Sequence, residues 1–238
     1  MFKSYPKIFF LFLFSMTTFG QFNSHNIGIA INAVYTTSAD IFLNPNASDL
    51  ELRNKSFVLE DILNPGIDIR YRFWQEVIVG LNIEYINKTS TAPNLTALIG
   101  NQVYTFEVED GFKVIPIELT IHYYFPFSTE SFKFMMGGGL GYYHGEFIRK
   151  FQGVELDVVQ RKIALGIHVS TSMEYMIFDY LSARFEMKFR NPQYNVKSEY
   201  NKTEINYQGN IIHLPDEAFE TKVDIDGLTF VLGLVVNI

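Results

Sequence analysis

A histidine, a serine and a carboxylate occur close together at His168, Ser170 and Glu174. These are the residue types of nucleophilic catalysis, in which the histidine removes the proton of the attacking hydroxyl. Side chains alternate between the two faces of a strand, so His168 and Ser170 lie on the face opposite Ile167 and Val169. A lipid-cleaving site would have to open toward lipid on that apolar face. We therefore predict interior hydrogen bonding for this group and assign no catalytic residues.

Glu118 and His122 share one face of another predicted strand with Thr120. A histidine and a carboxylate at this spacing could bind a metal ion or transfer a proton. Protein metal sites, however, usually need at least three protein ligands. The pair is better interpreted as a satisfied interior pair, and the sequence predicts no metal site and no cofactor.

Charged residues alternate with bulky apolar residues along several segments. Arg184, Glu186 and Lys188 alternate with Phe185 and Met187, which indicates strands with one charged face and one apolar face. Buried charges need partners of opposite sign, so the mixed signs predict a lumenal charge network. Its predicted members are Arg70, Arg72, Glu84, Glu118, His122, Arg184, Glu186 and Lys188.

Three glycines, Gly137, Gly139 and Gly141, lie on one face of a further predicted strand. They could leave space for a small solute inside the protein. Glycine also relieves crowding and permits curvature in a sheet, and we favour this second interpretation.

The connections between the predicted strands alternate in length. Short joins lie at residues 74–76, 126–131 and 176–179, and long polar joins at residues 37–64, 88–101, 146–160 and 191–222. The predicted strands are residues 27–36, 66–73, 77–88, 112–125, 132–145, 161–175, 181–190 and 227–238. This rhythm predicts an all-β fold, an eight-stranded antiparallel transmembrane β-barrel of the up-and-down type with short periplasmic turns and long extracellular loops.

Aromatic residues collect at two levels of these strands, as they do at the two interfaces of membrane barrels. Those near the short turns include Phe73, Trp74, Phe178 and Tyr180, and a second group toward the long loops comprises Tyr35, Tyr85, Tyr142 and Phe189. A soluble barrel that binds an apolar ligand remains an alternative, but it gives no reason for this sorting.

Two details conflict with regular strands. Pro116 has no backbone N–H to donate to a ladder, which predicts a bulge or a lost hydrogen bond. The pair Asp110-Gly111 is typical of a tight turn. Counting it as a barrel turn would give nine strands, so we interpret it as a bulge or a small hairpin above the membrane.

Composition and the amino-terminal residues indicate an exported protein. The chain has 238 residues, a formal net charge of −7 and no cysteine, which excludes disulfides and thiolate chemistry. The charge, without a basic cluster, argues against nucleic acid as a partner. Lys3 and Lys7 precede an apolar stretch that ends in small residues at Thr18 and Gly20. This pattern predicts a signal peptide at residues 1–20 and a barrel domain at residues 21–238; the apolar stretch is short for a membrane anchor.

Several segments resemble the small outer-membrane beta-barrel domain family common in Bacteroidetes-like bacteria. Ile115-Pro116-Ile117 leading to Tyr123-Tyr124-Phe125 resembles its fourth strand, and Gly137 to Tyr143 its glycine-rich fifth. Gly166-Ile167-His168 with Glu174-Tyr175, the closing Gly227-Leu228-Thr229 to Gly233-Leu234, and Thr18-Phe19-Gly20-Gln21 are also similar to members of that group. The resemblance implies an integral outer-membrane protein without fixed catalytic residues. One departure is Ile238 at the carboxyl terminus, where such barrels often have an aromatic residue.

The sequence therefore predicts a non-enzymatic protein of the bacterial outer membrane, with loops that serve envelope structure, adhesion or ligand contact. A narrow channel for small solutes or ions is the first alternative, and a lipid-modifying enzyme is a more remote one. The expected partners are outer-membrane lipid, the barrel assembly machinery during biogenesis and an extracellular ligand at the loops; we expect a monomer.

Overall fold

The computed structural model describes residues 25–99, 102–207 and 209–238. The predicted signal peptide lies outside these ranges. The strands are β1 (Ile27–Phe42), β2 (Ser56–Arg72), β3 (Val77–Glu84), β4 (Ile86–Ile99), β5 (Gln102–Tyr124), β6 (Phe132–Phe151), β7 (Val154–Arg161), β8 (Ala164–Phe178), β9 (Leu181–Arg190), β10 (Gln193–Tyr200), β11 (Glu204–Tyr207), β12 (Asn210–His213), β13 (Phe219–Asp224) and β14 (Leu228–Asn237), with one short helix, α1 (Leu50–Asn54). Among the described residues no helix is long and apolar enough to cross a membrane.

Antiparallel pairing connects eight of these strands in a cycle. β1 pairs with β2, β2 with β3, β3 with β5, β5 with β6, β6 with β8, β8 with β9, β9 with β14, and β14 with β1 again. We call this set the ring. Its tight turns (residues 73–76, 125–131 and 179–180) define the turn end, and the long connections define the loop end.

The segments predicted as long loops are largely strands, which corrects the sequence prediction. β1, β2, β5 and β6 continue past the ring, and β4, β7, β10 and β13 pair beside them. Twelve strands of the described residues form one sheet, and β11 and β12 form a separate hairpin. We call these additional strands, with the prolonged ends of the ring strands, the extension.

The extension was missed because the polarity of the strand faces reverses along the chain. In β5 the inward residues of the ring are polar, as Glu118 and His122 show, whereas Leu119 faces outward and is 55% exposed. Further along the same strand, Phe112 and Val114 face inward and are buried. The outward residues there are polar, so a polar-rich composition in these segments marks a water-exposed strand rather than a loop.

Asp110-Gly111 is neither a turn nor a separate hairpin. The two residues lie within β5, opposite Ser90 and Thr89 of β4, and the prediction of a bulge or hairpin there is wrong. Pro116 lies between the last β3 pairing, at Ile117, and the first β4 pairing, at Val114. Its missing N–H therefore coincides with a break in the ladder on that side.

The interior has two apolar layers at the loop end. The first surrounds Phe112, Phe147, Tyr194 and Ile225. The second lies further out and is covered by the β11–β12 hairpin; its buried members are Leu95, Ala97, Phe106, Val108, Phe151, Val154, Ile205, Ile212 and Leu214. Below both layers, toward the turn end, charged and polar residues occupy most of the interior of the ring, and a small apolar cluster of Ile78, Tyr124 and Met135 lies beside the tight turns.

Candidate functional site

Five charged side chains form a buried cluster near the turn end of the ring; we call it the turn-end cluster. Arg70 donates to Asp68 at 2.9 Å and to Glu186 at 2.6 Å. Arg184 donates to Asp68 at 2.5 Å and to Glu174 at 3.0 Å. Every carboxylate of the cluster thus accepts from at least one guanidinium, the arrangement that buried charges require.

Four more charges form the central cluster, between the turn-end cluster and the apolar layers. Lys188 contacts Glu118 at 2.6 Å and Glu84 at 3.3 Å. Arg190, which is fully buried, contacts Glu84 at 3.0 Å and Glu118 at 3.2 Å. The Tyr143 hydroxyl donates to Glu118 at 2.7 Å. Each of the two cations thus contacts both carboxylates.

The structure therefore brings six of the eight predicted network residues into ion pairs: Arg70, Glu84, Glu118, Arg184, Glu186 and Lys188. Of the other two, Arg72 lies over the Tyr124 ring, 6.0 Å from its centroid, and His122 is buried beside glycines. Sequence reasoning left Asp68, Glu174 and Arg190 out of the network. Strand alternation could have found all three, since they share the faces of Arg70, Ser170 and Lys188.

The candidate catalytic residues do not form a catalytic arrangement. His168 Nε2 lies 2.8 Å from the Thr120 hydroxyl, while Glu174 accepts from Ser182 and Arg184. The Ser170 hydroxyl has no hydrogen-bond partner among the described residues. The carboxylate that could orient the histidine is thus engaged elsewhere. No group of three or more metal-ligating side chains occurs among the described residues either.

The three glycines of β6 named above leave no open space, because neighbouring atoms occupy it. A Cβ atom at Gly139 would overlap the backbone of Leu119. A Cβ atom at Gly137 would lie 2.5 Å from His122 Nδ1, and one at Gly141 would lie 2.7 Å from the Tyr143 hydroxyl. The space that a side chain would take is therefore filled by His122 and Tyr143. This supports relief of crowding over a solute site.

Charged residues of the extension form pairs of their own. Arg149 and Asp110 make two hydrogen bonds of 2.7 Å; burial alone would lower the pKa of Arg149, but these bonds raise it above its usual value. Glu220 accepts from Lys162, Asn195 and Asn46, which lowers its pKa to about 2. These contacts connect the strands of the extension to one another.

Comparison with known proteins supports the fold. No family model and no curated protein matches the sequence. The chain is similar to the crystal structure of the outer membrane protein OprG from Pseudomonas aeruginosa, with a TM-score of 0.60 and 15% identity over 90% of this chain and 96% of that one. It is also similar to the outer membrane protein AlkL, determined in lipid bilayers, with a TM-score of 0.51 and 13% identity over 100% of this chain and 97% of that one. At these identities the likeness concerns the all-β antiparallel fold.

Proposed function

We propose that the chain is a non-enzymatic, integral outer-membrane protein. In this proposal the ring is a closed eight-stranded transmembrane barrel, and the extension stands outside the cell as the surface that contacts lipid, envelope components or an extracellular ligand. The turn end then faces the periplasm.

The observation that carries the proposal is the reversal of polarity along the ring strands. On the ring, apolar residues such as Ile121, Leu165 and Leu232 are directed outward with exposures of 60%, 72% and 63%. Charged residues fill the interior at the same level. A protein surrounded by water would gain nothing from this arrangement, whereas a barrel surrounded by lipid requires it.

A non-conducting interior is part of the proposal. The central cluster balances two cations against two carboxylates, the turn-end cluster joins two cations to three carboxylates, and the apolar layer around Phe112 and Phe147 fills the interior above them. Eight strands enclose a space that side chains can fill. The narrow channel is the competing function, and planar bilayers distinguish the two. We expect folded protein to be silent, and a steady ion-selective conductance would favour the channel.

Cysteine labelling tests the membrane position directly, because the natural chain has no cysteine. Leu119→Cys places a thiol on the outward apolar face, and Glu107→Cys places one on the exposed face of the extension. We expect a membrane-impermeant maleimide to label Glu107→Cys but not Leu119→Cys in vesicles, and both after the protein is unfolded. Equal labelling of the two in folded protein would refute the membrane position.

A further inference from the structure

The wall of the protein opens between β6 and β7. β6 pairs with β8 up to Tyr143 and with β7 only at Lys150 and Phe151. β7 instead pairs with β10 from Leu156 to Arg161. The separation leaves a cleft of about 290 Å³. Residues that line it include Tyr142, His144, Gly145, Gln160, Arg161 and Lys162.

The cleft lies where the outer surface changes from apolar to polar. Ile163 lines it and is 81% exposed, and Leu165, two residues further along β8, is 72% exposed. On the polar side, Glu146 and Arg161 are joined at 2.7 Å on the outer surface. Under the proposed function, which this inference requires, the cleft therefore opens at the level of the lipid headgroups.

Cations outnumber carboxylates around the cleft. Glu146 is shared by Arg161 at 2.7 Å and Lys113 at 3.7 Å, and Glu220 is paired with Lys162 at 2.5 Å. The two charged side chains that line the cleft itself, Arg161 and Lys162, are both cations, in a chain whose formal net charge is −7. The guanidinium has the planar fork that suits phosphate oxygens.

We propose that this cleft binds the phosphate group of a membrane amphiphile. Arg161 and Lys162 contact the phosphate, Gln160 and His144 offer further polar groups beside it, and the acyl chains lie along the apolar surface at Ile163. The surplus of positive charge selects an anionic headgroup, and the apolar surface next to the cleft selects a lipid over free phosphate.

The ring of Tyr194 closes the cleft on its interior side, so the cleft has the form of a pocket that a headgroup can enter. A Cβ atom at Gly145 would lie 2.5 Å from the ring of Tyr194, so this ring sits directly behind Gly145 on the interior side. Tyr194 belongs to the apolar layer and is buried. A ligand that enters the cleft therefore meets a closed wall.

Native mass spectrometry of the refolded protein in detergent tests the proposal with three probes. These are phosphatidic acid, diacylglycerol with the same acyl chains, and inorganic phosphate. We expect phosphatidic acid to bind at least about tenfold more tightly than either of the others, because only it offers both the charge and the chains. Equal binding of diacylglycerol, or of inorganic phosphate, would overturn the proposal.

Variants locate the site. Arg161→Gln/Lys162→Gln should weaken binding of phosphatidic acid by about tenfold or more, the effect expected from losing charge-assisted hydrogen bonds. The matched control is Arg53→Gln/Lys55→Gln, an exposed Arg and Lys at the end of α1, neither of which lines the cleft, and it should bind as the natural protein does. Unchanged binding in the first variant, or equal loss in the control, would contradict the site.

Folding is monitored separately by heat-modifiable migration on gels. If the double variant does not fold, Lys113→Gln retains the Arg161–Glu146 pair and should still weaken binding. A natural protein that migrates as a folded barrel and protects Leu119→Cys, but binds the two lipids equally, would refute the phosphate site alone. Labelling of Leu119→Cys in the folded state would refute the membrane position instead.

Discussion

The ring and the extension distribute charged and apolar side chains in opposite ways, although the same strands run through both. In the ring, charged residues such as Glu118 and Arg184 are buried and paired, while the outer face is apolar. In the extension, Phe112 and Ile225 are buried and the outer face is polar. β5 runs through both regions without a change in which residues point inward. The direction of the side chains is thus the same in both regions, and only their polarity differs, as the proposed surroundings of lipid and water require.

The largest effect is expected from removing one charge of the central cluster. Glu118→Gln leaves Lys188 and Arg190 with Glu84 as their remaining carboxylate. Breaking a buried ion pair on one side costs about 3–5 kcal/mol, so we expect a loss of that size in the free energy of unfolding. Urea unfolding in vesicles, followed by the fluorescence of Trp74, measures it.

Two further variants sharpen this prediction. Glu155→Gln removes an exposed carboxylate whose side chain is 60% accessible and should change stability by less than about 1 kcal/mol. Adding Lys188→Met to Glu118→Gln removes both partners of a pair and should recover part of the loss. If Glu118→Gln/Lys188→Met lost more free energy of unfolding than Glu118→Gln and Lys188→Met together, the result would contradict a balanced cluster.

A smaller and differently located effect is expected in the extension. Ile225→Ala removes a fully buried side chain from the apolar layer, and such truncations cost about 2–5 kcal/mol. Because this layer lies outside the proposed membrane region, we expect faster proteolysis of the extension with an unchanged heat-modifiable ring. Val103→Ala, at a side chain that is 67% exposed, is the control. Simultaneous loss of both regions would show that they unfold as one unit.

Two tyrosines between the ring and the extension have hydroxyl groups in different environments. The Tyr143 hydroxyl donates to Glu118, and its removal in Tyr143→Phe should cost about 1.5–3 kcal/mol. The Tyr194 hydroxyl is buried without a hydrogen-bond partner among the described residues. Tyr194→Phe should therefore be neutral or stabilising in the same urea experiment. Equal losses in the two variants would contradict this difference in environment.

The smallest effect concerns Glu220 on the surface of the extension. Its pKa is lowered to about 2 from the usual 4.5, mainly by the hydrogen bond from Lys162. A carboxyl group whose pKa is lowered in the folded protein stabilises the fold at pH values above its usual pKa of 4.5. That stabilisation is lost as the pH falls from 4.5 toward 2. The contribution is less than about 1 kcal/mol because the pair is near the surface.

Carbon-13 NMR of the Glu220 carboxyl measures this shift. Lys162→Gln should raise the pKa, and Lys150→Gln, an exposed lysine paired with Glu155 instead, should leave it unchanged. A Glu220 that titrates near 4.5 in the natural protein would show that the contact is absent in solution.

Much of the ring follows from alternation in the sequence. Leu181 to Arg190 was predicted with the bounds that β9 has, because charged and apolar residues alternate there without interruption. Pairing partners inside the ring were harder to predict. Glu84 lies on β3, next to the strand that carries Arg70, but it pairs with Lys188 and Arg190 across the interior. Long side chains span the interior, so sequence neighbours do not determine these contacts.

The extension could not be predicted from the same pattern because its pattern is inverted. Asp61 adds a further difficulty, since its positive φ of 55° interrupts the alternation between Leu59 and Ile62, which are both buried. The reversal of polarity within β5 and β6 was the signal that could have found the extension. A search along each strand for a change from an apolar outer face to a polar one would have identified it.

The pairing of β14 with β1 has a consequence for the time course of assembly. Gly28 lies opposite Asn237, so β14, the last of the described strands along the chain, is the neighbour of β1, the first of them. Until β14 has been made, β1 and β9 each present an uncovered edge, and such edges readily pair with other chains. Contacts so distant in sequence also form slowly. The unfinished chain must therefore be kept apart from its copies until the ten residues of β14 have been added.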